Sequence, residues 1–319
     1  MRLRQFYAVL PSDDFDVAIA AFIATCKTKN LSPETVEGYQ KRLRVFAKFA
    51  SLRNETPSTF TRQTVVDFVN FLLQKVKPTT INGYLRTLSV FNTFLISEGY
   101  RDDHPVKSVP KLREPQLYPR TLSDEQIIAL FNQPKIKTFM GLRDIAMMTL
   151  MLDSGLRVSE VCGLTIKDVD LSQGLILVRY GKGRKERVVP IGEGTLMTLR
   201  RYMDVRLSKP IQTDKLFVTV YGEPMTPRRV HHRISYYAKQ AKIEGVRVSP
   251  HTLRFTFVRK WLQSGGDSIV LQRILGHSSP IMTSYYAQLF ASDLKEAHKK
   301  HSPIDNIMPL LKLPRRRIY

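Results

Sequence analysis

Four prolines in twenty-one residues place the strongest constraint on this chain. The stretch YRDDHPVKSVPKLREPQLYPR (residues 100–120) carries Pro105, Pro110, Pro115 and Pro119. Proline lacks the amide proton that a helix interior or a central strand requires, so neither element can run through this spacing. The 319 residues therefore divide here, and each side is long enough to bury a core of its own. The expected organisation is a helical domain over 1–105, a linker over 106–116 and a second domain from 117.

The first side reads as helices. Ser32 is placed to cap a helix with Pro33 in its first turn, and Val36, Tyr39, Leu43 and Phe46 then share a face. Val65, Phe68, Val69 and Leu72 repeat that spacing behind a cap at Thr61. Ile81, Tyr84, Leu88, Phe91 and Leu95 do so again before Gly99, and with the segment around 14–26 this makes a bundle of four or five helices. On the second side Ser123 and Gln126 have capping-box spacing. A helix with Leu142, Ile145, Met148 and Leu152 on its inner face is expected to end at Gly155, and a short helix to start near Ser159. LILVRY and ERVVPI are the strand candidates, joined across GKGRK as a hairpin. Further helices are expected at 193–207, 227–241, 250–263, 267–275 and 290–301. The fold class is mainly α, in two domains, with a small β-hairpin or sheet in the second.

Charge narrows the class of partner. Fifty Lys and Arg face 28 Asp and Glu, a formal net charge of +22. Such an excess suits a polyanion, because each phosphate contact is made by a cation and releases counterions. A hydrophobic content of 43 %, with 16 Phe and 13 Tyr, excludes a disordered basic tail. Cys26 and Cys162 are too far apart in sequence to suggest a metal pair or a disulfide framework. Acidic residues interrupt the start MRLRQFYAVLPSDDFD before any long apolar run, so no signal peptide is expected, and no apolar run approaches a membrane span.

Several common sites are absent from the sequence. There is no HExxH and no paired CxxC, and the GKG at 181–183 lacks the upstream glycine and the Ser or Thr of a nucleotide-binding loop. Carboxylate ligands for a metal could still come from distant positions, but the acidic residues are few and scattered, so a cationic mechanism takes priority. His251 and Arg254 stand three apart on one face of a helix that opens with Ser249 and Pro250. GLRVSE at 155–160 precedes them, and GHSSPIMTSYY, with His277, Tyr285 and Tyr286, follows. Each signal alone is weak; their joint order is informative.

In that order the chain resembles the tyrosine recombinases, most closely the Xer-type enzymes and related phage and transposon integrases. The resemblance is carried by LDSGLRVSEVCGL around Arg157, GKGRKERVVPI around Lys182, SPHTLR with His251 and Arg254, LGHSS with His277, and Tyr286 nine residues further on. A first helix similar to LSPETVEGYQKRLRVFAKF belongs to the family's SAM-like core-binding domain, so the likeness spans nearly the whole chain.

The resemblance implies strand cleavage without metal or cofactor. Tyr286 would be the nucleophile, forming a 3′-phosphotyrosyl bond, with Tyr285 its competitor. Arg157 and Arg254 would clamp the phosphate, for which a planar guanidinium is well shaped. Lys182 would be the general acid, and His251 and His277 would donate to the phosphate or accept the tyrosine proton. Glu160 would orient Arg157, or simply pair with it. Arg184, Lys185, Arg187, Arg228 and Arg229 are candidate DNA contacts.

The implied partners are double-stranded DNA with paired half-sites and three further copies of the chain. The free protein would be mostly monomeric, an accessory protein is allowed for, and no membrane is involved. The implied location is the cytoplasm, at the nucleoid. A type IB topoisomerase and a non-catalytic DNA-binding protein are the rival readings.

Two departures stand out. Phe255 follows Arg254 where the family commonly has histidine, and Val258-Arg259 replaces Ala-Thr. Phe255 is expected in or near the core, and Arg259 as an added surface charge. Residues 117–303 would form the catalytic domain. Beyond them, 304–319 is an extension whose Ile307, Met308, Leu310, Leu311 and Leu313 would dock on protein, ahead of Arg315, Arg316 and Arg317. The altered segment and the extension lean towards a mobile-element role over chromosome dimer resolution.

Overall fold

The computed structural model describes residues 12–114, 120–179 and 186–276. It separates the chain into two compact units, Met1–Gln116 and Leu117–Tyr319.

In the first unit, α1 (Phe15–Thr28), α2 (Pro33–Ser51), α3 (Arg62–Leu73) and α4 (Pro78–Ser97) form the bundle. Local chemistry starts three of these helices. Asp14 accepts the Asp16 and Val17 amides, Ser32 accepts the Thr35 amide, and Thr61 and Thr64 satisfy each other's backbone donors. Proline replaces that device at α4, where Pro78 follows Lys77. The core is built on phenylalanine: the Phe46 ring meets the edges of Phe15, Phe60 and Phe68 at centroid distances of 5.9, 5.2 and 5.2 Å. Burying each such ring contributes about 1.5–3 kcal/mol.

The proline-rich stretch does not leave this core at residue 105. Val106 is buried in it, and Val109 and Leu112 pack against it. Buried Asn82 holds the backbone of Leu112 from both sides, accepting its amide at 2.9 Å and donating to its carbonyl at 2.9 Å. The segment read from the sequence as a linker is thus tied to the first unit through residue 114. Helix α4 has already ended at Ser97, and the prolines beyond it do not free the chain.

The second unit contains α5 (Asp124–Phe131), α6 (Phe139–Ser154), α7 (Val158–Gly163), a short 3-10 helix (Ile166–Asp168), β1 (Val169–Asp170), β2 (Leu175–Val178) and β3 (Arg187–Pro190). They are followed by α8 (Glu193–Leu207), α9 (Pro227–Gln240), α10 (Pro250–Gln263) and α11 (Ser268–Leu275). The three strands form one antiparallel sheet in sequence order, with Leu175 opposite Pro190 and Val178 opposite Arg187. The expected capping box at Ser123 and Gln126 is present.

Helix α6 corrects the expected inner face. Leu142, Ile145 and Leu152 are only half-buried, whereas Ala146, Met147, Met148, Leu150 and Met151 are fully enclosed. The helix lies between α8 and α10 and is covered on most sides, so a one-sided apolar stripe was the wrong template. Two of its charged residues, Arg143 and Asp144, are buried as well. Arg143 and Asp144 join, and Asp144 also accepts from Arg233 at 2.7 Å and from the Tyr237 hydroxyl at 2.7 Å, which pins α9 to α6. Trp261 lies half-buried on α10, beside Phe257, and donates to the Asp267 carbonyl at 3.0 Å. Among the described residues no helix is long and apolar enough to cross a membrane.

Candidate active site

The site begins at the end of α6. Gly155 adopts φ of +61°, and a β-carbon there would lie 2.4 Å from Phe257 and 2.9 Å from Leu275. Only glycine fits both the backbone and the space. The reversal it permits brings Arg157 to the start of α7, where the Arg157 amide donates to Glu160 Oε2 at 2.8 Å and its Nη1 to Oε1 at 2.9 Å.

Glu160 is almost wholly buried and serves a second arginine. Arg187 Nη1 and Nη2 donate to the two carboxylate oxygens at 3.0 and 2.9 Å. Burial pushes the Glu160 carboxyl up, but the hydrogen bonds and charge of Arg187, then the amide and charge of Arg157, bring it below the usual carboxylate value. Arg187 was read from the sequence as a surface charge for phosphate. Its side chain is instead 11 % exposed, and its Nε donates to the Ile274 carbonyl at 2.7 Å.

Helix α10 supplies the opposite wall. Ser249 caps it, and the three-residue spacing puts His251 and Arg254 on the same face. Arg254 is buried, its Nη1 donating to the Gly155 carbonyl and its Nη2 to the Leu275 carbonyl at 3.2 Å. These bonds fix its guanidinium in the cavity that Arg157 enters. His251 stays exposed at the rim. The packing around its ring, then the charges of Arg254 and Arg157, hold its imidazole below the ordinary histidine value.

The departures from the family pattern have visible consequences. Phe255 stacks on the His251 ring, with centroids 5.3 Å apart and planes within 10°. Arg259 is half-buried and donates to Thr121 at 3.0 Å, tying α10 to the segment before α5, so it is not a free surface charge. Val258 is fully buried.

The third wall is one that the sequence reading passed over. Arg228, His231, His232 and Ser235 on α9 line the same cavity of about 760 Å³ as Arg157, His251 and Arg254. Their spacing of three, one and three is a helical face, and a polar face at that period was the available signal. Arg228 had been singled out as a DNA contact; the histidines had not. Neighbouring Arg229 pairs with Glu223 at 2.8 Å on open surface.

Lys182, Arg184, Lys185, His277, Tyr285 and Tyr286 lie outside the described residues, as do the expected helix at 290–301 and the extension 304–319. Among the described residues no group of three or more His, Cys, Asp or Glu side chains gathers where a metal could bind. Tyr237 on α9 is a poor nucleophile: burial, then the Asp144 charge and hydrogen bond, push its hydroxyl up to about 12. Burial likewise pushes the Cys162 thiol up to about 12. The cavity that results has two anchored guanidinium groups and three imidazoles around one opening, with its carboxylate buried beneath. Such a donor set suits the oxygens of a phosphate, including the extra negative charge that they gain during substitution at phosphorus.

Comparison with known proteins agrees with this chemistry. Residues 120–292 match the Phage integrase family and residues 19–99 the phage integrase N-terminal SAM-like domain. The chain is 34 % identical to tyrosine recombinase XerD of Yersinia pestis over 282 residues, covering 86 % of this chain and 93 % of that protein. It is 33 % identical to tyrosine recombinase XerC of Thermodesulfovibrio yellowstonii, covering 86 % and 92 %. In structure it is similar to the Tn1549 transposon integrase in complex with a circular intermediate DNA, with a TM-score of 0.71 at 20 % identity, over 91 % of this chain and 99 % of that one.

Proposed function

Because the chain belongs to the phage integrase family of tyrosine recombinases, which cut and rejoin DNA strands without a metal cofactor, we propose that its cationic cavity receives the scissile phosphate of a specific DNA site. Arg157 and Arg254 hold the non-bridging oxygens. Tyr286 attacks phosphorus, the phosphorus–oxygen bond to the 5′ oxygen breaks, and the phosphate is left joined to the tyrosine at its 3′ side. Lys182 returns a proton to the departing 5′ oxygen. His251, whose surroundings hold its imidazole below the ordinary histidine value in the free protein, and His277 donate to the phosphate or take the tyrosine proton. Arg184, Lys185 and Arg228 contact the DNA backbone. The observation that carries this reading is the pair of guanidinium groups at one cavity, each fixed by bonds of its own.

Each active site cuts one strand, and exchange of two duplexes needs four cuts. The working assembly is therefore a tetramer on paired half-sites, formed from monomers at the cytoplasmic nucleoid. Between biological duties, identity of 33–34 % to XerD and XerC over most of their lengths supports resolution of chromosome or plasmid dimers. The altered segment after Arg254 and the carboxyl-terminal extension support integration, excision or transposition of a mobile element. Recombination assays on chromosomal sites and on element ends separate the two.

The chemistry is tested with a nicked suicide substrate in excess chelator. Wild type traps a covalent protein–DNA adduct, and Tyr286→Phe abolishes it while DNA binding persists. An adduct that survives in this variant, or that forms on Tyr285, refutes the assignment.

A further inference from the structure

We propose that Arg187 is a positioning residue for strand cleavage: it locks Glu160, and through it Arg157, to strand β3 and to the end of α11. The inference rests on the recombinase reading above and adds a residue to it. Arg187 does not face solvent as a phosphate contact must. Three of its donors are committed, two to Glu160 and one to the Ile274 carbonyl. Both Glu160 oxygens are in turn shared, Oε1 between the two guanidinium groups and Oε2 between Arg187 and the Arg157 amide.

The guanidinium is also packed on the turn that follows α11. A β-carbon at Gly276, whose φ is +64°, would lie 3.0–3.1 Å from Arg187 Nη1, Cδ and Cζ. One side chain therefore meets three segments that lead to chemistry. Strand β3 follows the segment that carries Lys182, Gly276 precedes His277, and Glu160 holds Arg157. A planar fork is needed for this, because an ammonium presents no two parallel donors to a carboxylate and a third to a carbonyl.

Loss of Arg187 has a specific electrostatic result. Glu160 would remain buried with the amide and charge of Arg157 as its partners, and burial would raise its carboxyl. Among the described residues, the groups hydrogen-bonded to this carboxylate are Arg157 from the start of α7 and Arg187 from β3. Arg228, His231 and His232 from α9 and His251 and Arg254 from α10 face the cavity. Once protonated, Glu160 no longer fixes Arg157, so cleavage should gain sensitivity to mild acid.

The test uses the full chain with Arg187→Met and Arg187→Lys. Single-turnover adduct formation is measured at saturating suicide substrate across mildly acidic to mildly basic pH, beside half-site affinity and thermal unfolding. Arg187→Met should bind DNA as wild type does but form adduct on the order of 100-fold more slowly, the scale of an ångström-level misplacement. Its acid limb should move to higher pH, and Arg187→Lys should recover only part of the rate.

Weakened binding with an unchanged saturated rate would make Arg187 a phosphate contact and overturn the proposal. So would a rate that falls only with the folded fraction while the pH profile stays put, in whichever variant folds. Failure of wild type to form any adduct would strike the recombinase reading itself, and the proposal with it.

Discussion

Replacing Gly155 with alanine tests how the fold and the site share one turn. Two costs add. A residue with a β-carbon in the left-handed region costs about 1–2 kcal/mol, and at φ of +61° Gly155 lies in that region. The new methyl would also stand 2.4 Å from the Phe257 ring and 2.9 Å from Leu275, in a core with no slack, and forced overpacking of this kind costs about 1–3 kcal/mol. The total is about 2–5 kcal/mol. For a unit of this size that corresponds to a drop of about 4–20 °C in Tm. Gly245 is the matched control, with φ of +77° and nothing within 4 Å of its would-be β-carbon, so Gly245→Ala should carry the backbone cost alone. Calorimetry on the full chain reads both. Adduct formation should fall further in Gly155→Ala, because the Gly155 carbonyl holds Arg254. Equal shifts for the two alanine variants would refute the packing argument.

Two other outcomes are expected. Asp144→Ala removes the acceptor shared by Arg143, Arg233 and Tyr237 and leaves Arg143 charged and buried, at a cost of about 3–5 kcal/mol; a loss below 1 kcal/mol in urea unfolding, the range of a surface pair, would show that the network relaxes. His251 should titrate in free protein below its ordinary 6.5. Folding therefore disfavours its charged form, so its contribution to stability is lost as pH falls from the unfolded value through the folded one. A DNA phosphate in the cavity should raise that midpoint. An NMR titration that gives 6.5 or above without DNA contradicts the packing and charge assigned to the ring.

The parts of the fold that were legible in sequence are those written locally. Ser32, Thr61 and Ser123 announce helix starts because a cap and its target amide lie within three residues. Arg157 and Glu160 could be paired for the same reason. The errors came where distant packing decides. Helix α6 is enclosed by α8 and α10, and periodicity cannot distinguish a covered helix from a one-sided one. Arg187 sits in a run of basic residues that looks solvated, and only the fold brings Glu160, 27 positions earlier, beneath it. The α9 histidines were missed because their value depends on which wall of the cavity the helix presents. Gly99 marked the end of the first bundle's last helix, whereas the prolines beyond it do not release the chain, because Asn82 holds Leu112.

The contrast between the two cores decides what can be seen by light. The first unit is filled with phenylalanine rings, which emit weakly and absorb far from the usual excitation window, while the chain's single tryptophan, Trp261, sits on α10 in the second unit. Its indole is hydrogen-bonded to the Asp267 carbonyl and lies against Phe257, so unfolding must change its surroundings. Intrinsic fluorescence excited at the indole is consequently a one-sided reporter. Denaturation followed that way describes the unit that holds Arg157 and Arg254, and a bundle that melts first would do so unseen.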